Sequence, residues 1–562
     1  MRNQSTLKHL INRVSNSSIS ITSLILIVAV YIITVDNITF WTLLGNRMGN
    51  SLTDNVLISV SLFMFILTLI YLLISIFSHI KTLKFALIFA LISSSVISYF
   101  IDEYGTVISY SMIQNVIETD TNEAFDLLNT GLFVHILLYG ILPSTYIYTV
   151  KLKVQTAGRE IYSRMAALIL LTLLTSSTVY SSYKELSYLG RENRDLRFYI
   201  NPVYPIISLY KHIKISHKNK NREFVKIYTD TKIEKNDHRQ NKPKLLIIVV
   251  GETARAANFS LNGYARNTTP KLAQQDIINF TNTSSCGTAT AESLPCMFSD
   301  IEHDSFDLDK VRHRENMLDA LKHAGINVLW RDNNSGCKGV CARSETEFMN
   351  TITDTDLCNG EECYDEILLH NLNTKINEIT KDTVIILHQQ GSHGPAYYKR
   401  VPEKFAVFKP LCNSKAVQNC SNEEVTNTYD NTILYTDYFL DSVIETLKVK
   451  SNVDTAMIYM SDHGESLGEN GVYLHGLPYF MAPQEQTHIP FIVWLSNQIQ
   501  YSENIDSSCL KLNRKQAYSH DNLLHSVLGL MNITSKNYKA ELDVFSVCTT
   551  PYDVRLSQSG DN

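Results

Sequence analysis

Five long apolar segments fill the first third of the chain: roughly Ile19–Val35, Val56–Phe77, Phe85–Phe100, Leu128–Val150 and Met165–Tyr183. Each is long enough, or nearly so, to cross a hydrocarbon slab about 30 Å thick. The third is the shortest. Backbone groups in lipid must bond within their own segment, so these read as membrane helices. No cleavage pattern follows the first, which is therefore expected to stay as a span. Lys and Arg set the sidedness. Arg2, Lys8 and Arg13 precede the first span, Lys81 and Lys84 follow the second, and Lys151, Lys153 and Arg159 follow the fourth. The alternate loops are neutral or acidic, with Asp102, Glu103, Glu118, Asp120 and Glu123. This is a positive-inside pattern with the N-terminus inside, which puts everything after Tyr183 outside. The spans lack the paired charges of an ion path, so a transporter is disfavoured.

Cysteine usage points to the same side. All ten cysteines lie at or beyond Cys286, as expected for disulfides in an oxidising compartment. The spacings suggest Cys286 with Cys296, Cys337 with Cys341, Cys358 with Cys363 and Cys412 with Cys420, leaving Cys509 for Cys548. A zinc cluster of Cys337, Cys341, Cys358 and Cys363 is the alternative. Disulfides are preferred because neither spacing is the usual C-x2-C knuckle.

Residues 186–240 form a basic connector. Its "NPVYPIISLYKHIKISHKNKNREFVK" reads either as an amphipathic helix at the membrane surface or as a solvated linker. A net charge of −6, from 50 basic and 56 acidic residues, gives no general attraction to nucleic acid.

From Pro243 the pattern changes to short apolar runs alternating with helical stretches. "KLLIIVVGET", "INVLWRDNNSG", "TVIILHQQGSHG" and "TAMIYMSDHGE" read as strands buried on both faces of a mainly parallel sheet. Such sheets bind ligands beyond the carboxyl ends of their strands, where all four runs place polar residues. Glu252 could merely cap a helix and Asp462-His463 could be a surface turn. Together they offer two carboxylates and an imidazole, a donor set for zinc, or for manganese with more oxygens. A threonine oxygen could take the fourth position, since coordination lowers its pKa and makes it a nucleophile. The stretch "SSCGTATAESLPC" would then present Thr288 to the metal, near a helix N-terminus suited to phosphate. His388 reads as a core residue. His488 is either structural or a more distant metal residue.

The motifs "VVGETARAANFSLNGY", "SSCGTATAESLPCMFS", "DNNSGCKGVC", "HQQGSHGPAYY" and "YMSDHGESLGENGVYLHG" resemble the lipid A phosphoethanolamine transferases. These are membrane enzymes of the outer face of the Gram-negative inner membrane, within the alkaline phosphatase-like superfamily, and some confer polymyxin resistance. The resemblance covers nearly the whole chain. It implies a five-helix membrane domain (1–185), a connector (186–240) and a periplasmic α/β catalytic domain (241–562). It also implies Glu252, Thr288, Asp462 and His463 as zinc ligands, with Thr288 as the nucleophile that carries phosphoethanolamine. His393 and His475 would hold the phosphate or move protons, and Ser335 and Lys338 would contact the group. Asn115, Thr119 and Glu123, spaced by four, would share a helix face and bind the ethanolamine end; without the resemblance they read as the polar face of a surface helix.

The implied partners are phosphatidylethanolamine as donor and lipid A as acceptor, handled by a monomer. One rival is a transferase that moves phosphoethanolamine or phosphoglycerol to another envelope glycan or protein. Another is a non-catalytic envelope protein that has kept the fold.

Overall fold

The computed structural model describes residues 18–49, 51–77, 81–119, 121–153, 155–219, 222–234, 242–352, 356–358 and 362–549. Arg2, Lys8, Arg13, Asp120 and the side chain of Glu123 lie outside the described residues. Two compact units divide the chain. One joins Met1–Tyr110 to Leu128–Lys211, and the other joins Ser111–Leu127 to His212–Asn562.

In the first unit, α1 (Ile21–Val35) and α2 (Ile38–Arg47) form a pair bent by 57°. α3 (Leu52–Phe77) and α4 (Leu83–Tyr104) follow. Next in sequence, within the second unit apart from Tyr110, come α5 (Tyr110–Glu118) and α6 (Thr121–Leu127). The fourth apolar run spans Thr130–Thr149. It is α7 (Thr130–His135), a π-helical stretch at Ile136–Ile141 and α8 (Leu142–Thr149). α9 (Ala157–Ser181) completes the set. Among the described residues, four helices are long and apolar enough to span, and five if the bent pair counts as one. The ends agree with the charge reading. Lys84 Nζ donates to the carbonyls of Tyr148 and Val150, each at 2.7 Å. Ser18–Ser20 pairs in parallel with Lys151–Lys153. The starts of the first and third runs thus meet the end of the fourth. In the connector, Val203–Asn219 is helical.

The second unit is built on an eight-stranded sheet. Its strands are β1 (Lys244–Gly251), β2 (Ile277–Ser284), β3 (Asn327–Asp332), β4 (Glu345–Phe348), β5 (Thr383–His388), β6 (Asp454–Ser461), β7 (His488–Leu495) and β8 (Tyr518–Ser519). The spatial order is β8-β2-β7-β6-β1-β5-β3-β4. Only β7 runs against its neighbours. Every residue of β1, β5 and β6 is buried, as both-face coverage requires. Five disulfides join the ten cysteines in the expected pairs. The alternative thiolate cluster therefore falls away.

Candidate metal centre

Register brings the four strand ends together. In the parallel central strands Gly251 pairs with Ser461, Val250 with His388, and Asp332 with His388. The residues that follow therefore project from one edge of the sheet. Glu252, Asp462 and His463 are all fully buried there, and one ligand atom from each lies within 4.8 Å of the other two.

Hydrogen bonding shows what these atoms await. His463 Nδ1 lies 2.9 Å from the Gly464 carbonyl and donates to it. That fixes the tautomer and leaves the Nε2 lone pair facing inward. Nε2 is 3.5 Å from Glu252 Oε1 and 3.4 Å from Asp462 Oδ2. Burial, acting first, pulls the His463 pKa down to about 4, so the ring is neutral near pH 7. Asp462 Oδ1 accepts from the backbone N–H groups of Thr253 and His463, while Oδ2 is buried without a hydrogen bond. A neutral imidazole nitrogen and two carboxylates converging in this way could hold a cation. Nitrogen plus oxygen donors suit zinc.

Supporting contacts hold the donors in place. Asn334 Nδ2 donates to Glu252 Oε2 at 2.8 Å and to the Gln389 carbonyl at 2.8 Å. Asp332 Oδ1 in turn accepts the Asn334 N–H at 2.9 Å. Gly391 sits at φ +57°, and a Cβ there would meet the Glu252 carbonyl oxygen at 2.6 Å. Only glycine permits that approach.

The hydroxyl at the triad belongs to Thr290. Its Oγ1 lies 3.2 Å and 3.3 Å from the two Glu252 carboxylate oxygens and 3.3 Å from His463 Nε2. Thr288 instead donates to the Leu477 carbonyl at 2.6 Å. This corrects the sequence-based choice of Thr288 as ligand and nucleophile. Ala289 is extended and the helix Thr290–Met297 starts with Thr290 itself. The first helical residue, not the one two before it, reaches the cation site. The loop is held from two sides. Cys286–Cys296 closes it, and His520 ties its base to β6. The Cys286 N–H donates to His520 Nδ1 at 3.0 Å, and Nε2 donates to the Ser461 carbonyl at 2.9 Å.

His475 and His393 sit beside the triad. The His475 ring lies 4.4 Å from that of His463 and 5.4 Å from that of His393, between centroids. His475 Nδ1 is 2.8 Å from Glu465 Oε2, and Tyr397 donates to Glu465 Oε1 at 2.6 Å. Ser335 and Lys338 follow Asn334, with Lys338 Nζ donating to Ser335 Oγ at 2.8 Å and to the Glu118 carbonyl at 3.1 Å. They line a recess of about 470 Å³ with Glu118, Arg312 and Arg343. Arg312 grips both Glu118 oxygens, at 2.5 and 2.8 Å.

Asn115, Thr119 and Glu123 do not share one helix, which corrects the spacing argument. α5 ends at Glu118 and α6 begins at Thr121, and Thr119 Oγ1 bonds back to the Asn115 carbonyl. Thr and Asp favour caps over helix interiors. His388 is a core residue as expected, its Nδ1 3.0 Å from Asp332. His488 Nε2 is 2.9 Å from the Thr281 carbonyl. Sequence reasoning missed Thr290, Asn334, Glu118, Glu465 and His520. Two of these had a signal: Thr290 as one of the hydroxyls in the disulfide loop and Asn334 at a strand end.

Comparison with known proteins fits this architecture. The family described as "Phosphoethanolamine transferase EptA/EptB" matches residues 63–216, and "Sulfatase" matches residues 244–533. Phosphoethanolamine transferase EptA of Escherichia coli (strain K12) is 38% identical over 549 residues, covering 96% of this chain and 99% of that protein. Phosphatidylethanolamine transferase Mcr-1 of Escherichia coli is 38% identical over 540 residues, covering 93% and 97%. The integral membrane protein lipooligosaccharide phosphoethanolamine transferase A from Neisseria meningitidis superposes with a TM-score of 0.90 at 34% identity, covering 95% of this chain and 100% of that one. The chain therefore belongs to the EptA-type phosphoethanolamine transferases, a family of integral membrane enzymes with a sulfatase-like catalytic domain.

Proposed function

We propose that the chain moves phosphoethanolamine from phosphatidylethanolamine to a phosphate of lipid A, on the periplasmic side of the inner membrane. Thr290 carries the group between the two. The observation that carries this reading is the Thr290 hydroxyl within 3.3 Å of the Glu252 carboxylate and His463 Nε2. Glu252, Asp462 and His463 would hold zinc. Bound there, the metal supplies positive charge that lowers the pKa of a nearby hydroxyl and stabilises anionic phosphoryl oxygens.

Thr290 Oγ1 forms a bond to phosphorus as the bond to the glycerol oxygen breaks, and diacylglycerol leaves with a proton on that oxygen. A lipid A phosphate oxygen then attacks the same phosphorus and Thr290 Oγ1 departs. His475 suits the proton step. Glu465 engages its Nδ1 and leaves Nε2 to give or take the proton. His393 stands beside it. Ser335 and Lys338 offer a hydroxyl and a cation to the phosphoethanolamine group, with Asn115, Thr119 and Glu123 assigned to its ammonium end. The membrane domain (1–185), connector (186–240) and catalytic domain (241–562) divide the work between anchoring beside lipid substrates and chemistry. The added ammonium offsets lipid A phosphate charge, which weakens binding of cationic peptides and polymyxins. The family likeness supports donor and acceptor.

Lipid A from a Gram-negative host expressing the chain, weighed by mass spectrometry, tests this. An added phosphoethanolamine mass is expected. No addition from folded, zinc-loaded protein rejects lipid A as acceptor.

A further inference from the structure

The membrane unit buries a polar cluster that the transfer reaction does not use. Asp36 caps the C-terminal end of α1, where the chain bends into α2, and is 2% exposed. A 15-residue helix rises only about 22 Å, so this carboxylate sits short of a full crossing of a ~30 Å apolar slab. A helix C-terminus already concentrates negative potential, which makes it the wrong end for an acid. Neither Asp36 oxygen meets hydrogen-bond geometry, although the Ser94 and Ser98 hydroxyls of α4 flank it. Among the described residues no Lys or Arg pairs with it; the ion pairs within this unit are Arg47–Asp195 and Arg164–Glu160.

Asn201 completes the cluster, itself fully buried. Its backbone is locked by Asn37, which accepts the Asn201 N–H at 2.8 Å and donates to its carbonyl at 2.9 Å. Its Nδ2 donates to the Asp36 carbonyl at 3.2 Å and the Ser94 carbonyl at 2.8 Å. Two carbonyl acceptors fix which end of the amide is nitrogen. Oδ1 is therefore an acceptor, and it is buried without a donor. The Ser94 hydroxyl, fully buried, also has no partner in hydrogen-bond geometry. Acceptors outnumber donors here, and an unpaired buried charge in such surroundings is costly.

We propose that Asp36, Ser94 and Asn201 form a buried site for one small monovalent cation of the sodium class. The donor set is hard oxygen throughout. Among these three residues one carboxylate with neutral oxygens balances a single positive charge, as low-dielectric surroundings demand; the nearby Asp102 adds negative potential, with its Oδ1 already engaged by the Thr39 N–H and hydroxyl. The ion ties the α1–α2 bend to α4 and to the segment before the connector helix.

The test uses the full-length chain in detergent micelles. Thermal unfolding is followed by tryptophan fluorescence, because Trp41 on α2 bonds the Ile33 carbonyl of α1 at 2.8 Å. Sodium chloride is titrated against choline chloride at constant ionic strength. The site predicts a saturable rise in Tm with sodium over choline, absent in Asp36→Asn. Ser94→Ala should shift the sodium midpoint about tenfold higher, as expected for losing one ligand. Ser94→Ala decides the matter if Asp36→Asn does not fold. Equal response to sodium and choline in the wild type overturns the site and leaves a protonated carboxyl. A sodium response kept by Asp36→Asn, or by Ser94→Ala at unchanged midpoint, also overturns it. A response to calcium in place of sodium overturns the monovalent assignment. All readouts are independent of transferase activity.

Discussion

The two units bury carboxylates in opposite ways. In the catalytic unit each buried acid is surrounded by donors. Asp365 accepts from Asn333, Gln389 and the N–H groups of Gln390 and Gly391. Asp332 accepts from Trp330, His388 and the N–H groups of Asn334 and Gly336. The exception is the inward-facing side of Glu252, Asp462 and His463, where Asp462 Oδ2 has no donor. In the membrane unit Asp36 has both oxygens in that condition. An unmatched buried carboxylate oxygen is costly, and a cation would relieve that cost at both places. A sheet covered on both faces can surround a reactive edge with backbone donors, whereas a helix has already used its own N–H groups.

The largest effect that would break this comparison is metal removal. Chelation of purified protein should abolish transfer to lipid A, and zinc alone should restore it. Full activity after verified metal loss would make the triad a structural feature. Next comes the support for the metal. Asn334→Ala removes the donor to Glu252 and should weaken metal affinity about 10–100-fold, read by competition with a chromogenic chelator. Unchanged affinity would mean that Asn334 serves packing alone.

Smaller effects sharpen the picture of the loop that presents Thr290. Replacing Cys286 and Cys296 by Ser opens a bridge with a sequence separation of 10 and should cost about 2–3 kcal/mol by the loop-entropy relation, measured by denaturant unfolding. His520→Ala leaves the Cys286 N–H and Ser461 carbonyl without their buried partner. At roughly 1–3 kcal/mol for an unsatisfied buried group, Tm should fall by several degrees. A rate lost further than Tm explains would show that His520 also positions Thr290. Lys338→Ala should act least on stability and chiefly raise KM for donor. An unchanged KM would remove the Lys338 recess from the substrate path.

Much of this was legible in the sequence, because hydropathy and loop charge act through simple physics. Apolar run lengths located the spans, and Lys84 and Lys151–Lys153 fell at one end as their charge required. Near-continuous Val/Ile runs marked β1, β5 and β6, and their last residues marked the site. What sequence could not settle depended on where a helix starts or on pairing across long separations. Thr288 and Thr290 flank Ala289 within one disulfide loop, and no Ser, Asp or Asn cap marks the helix start. His520 reaches Cys286 only because β8 pairs with β2. Glu118 reaches Arg312 across 194 residues. The four-residue spacing of Asn115, Thr119 and Glu123 misled because a helix break lies between them.

The most direct measurement is the site of the covalent group. Purified zinc-loaded protein is incubated with phosphatidylethanolamine, quenched, digested and mapped by mass spectrometry, for the wild type, Thr290→Ala and Thr288→Ala. The account predicts phosphoethanolamine on Thr290 in the wild type, the same adduct in Thr288→Ala, and none in Thr290→Ala. An adduct on Thr288 that survives Thr290→Ala would contradict it.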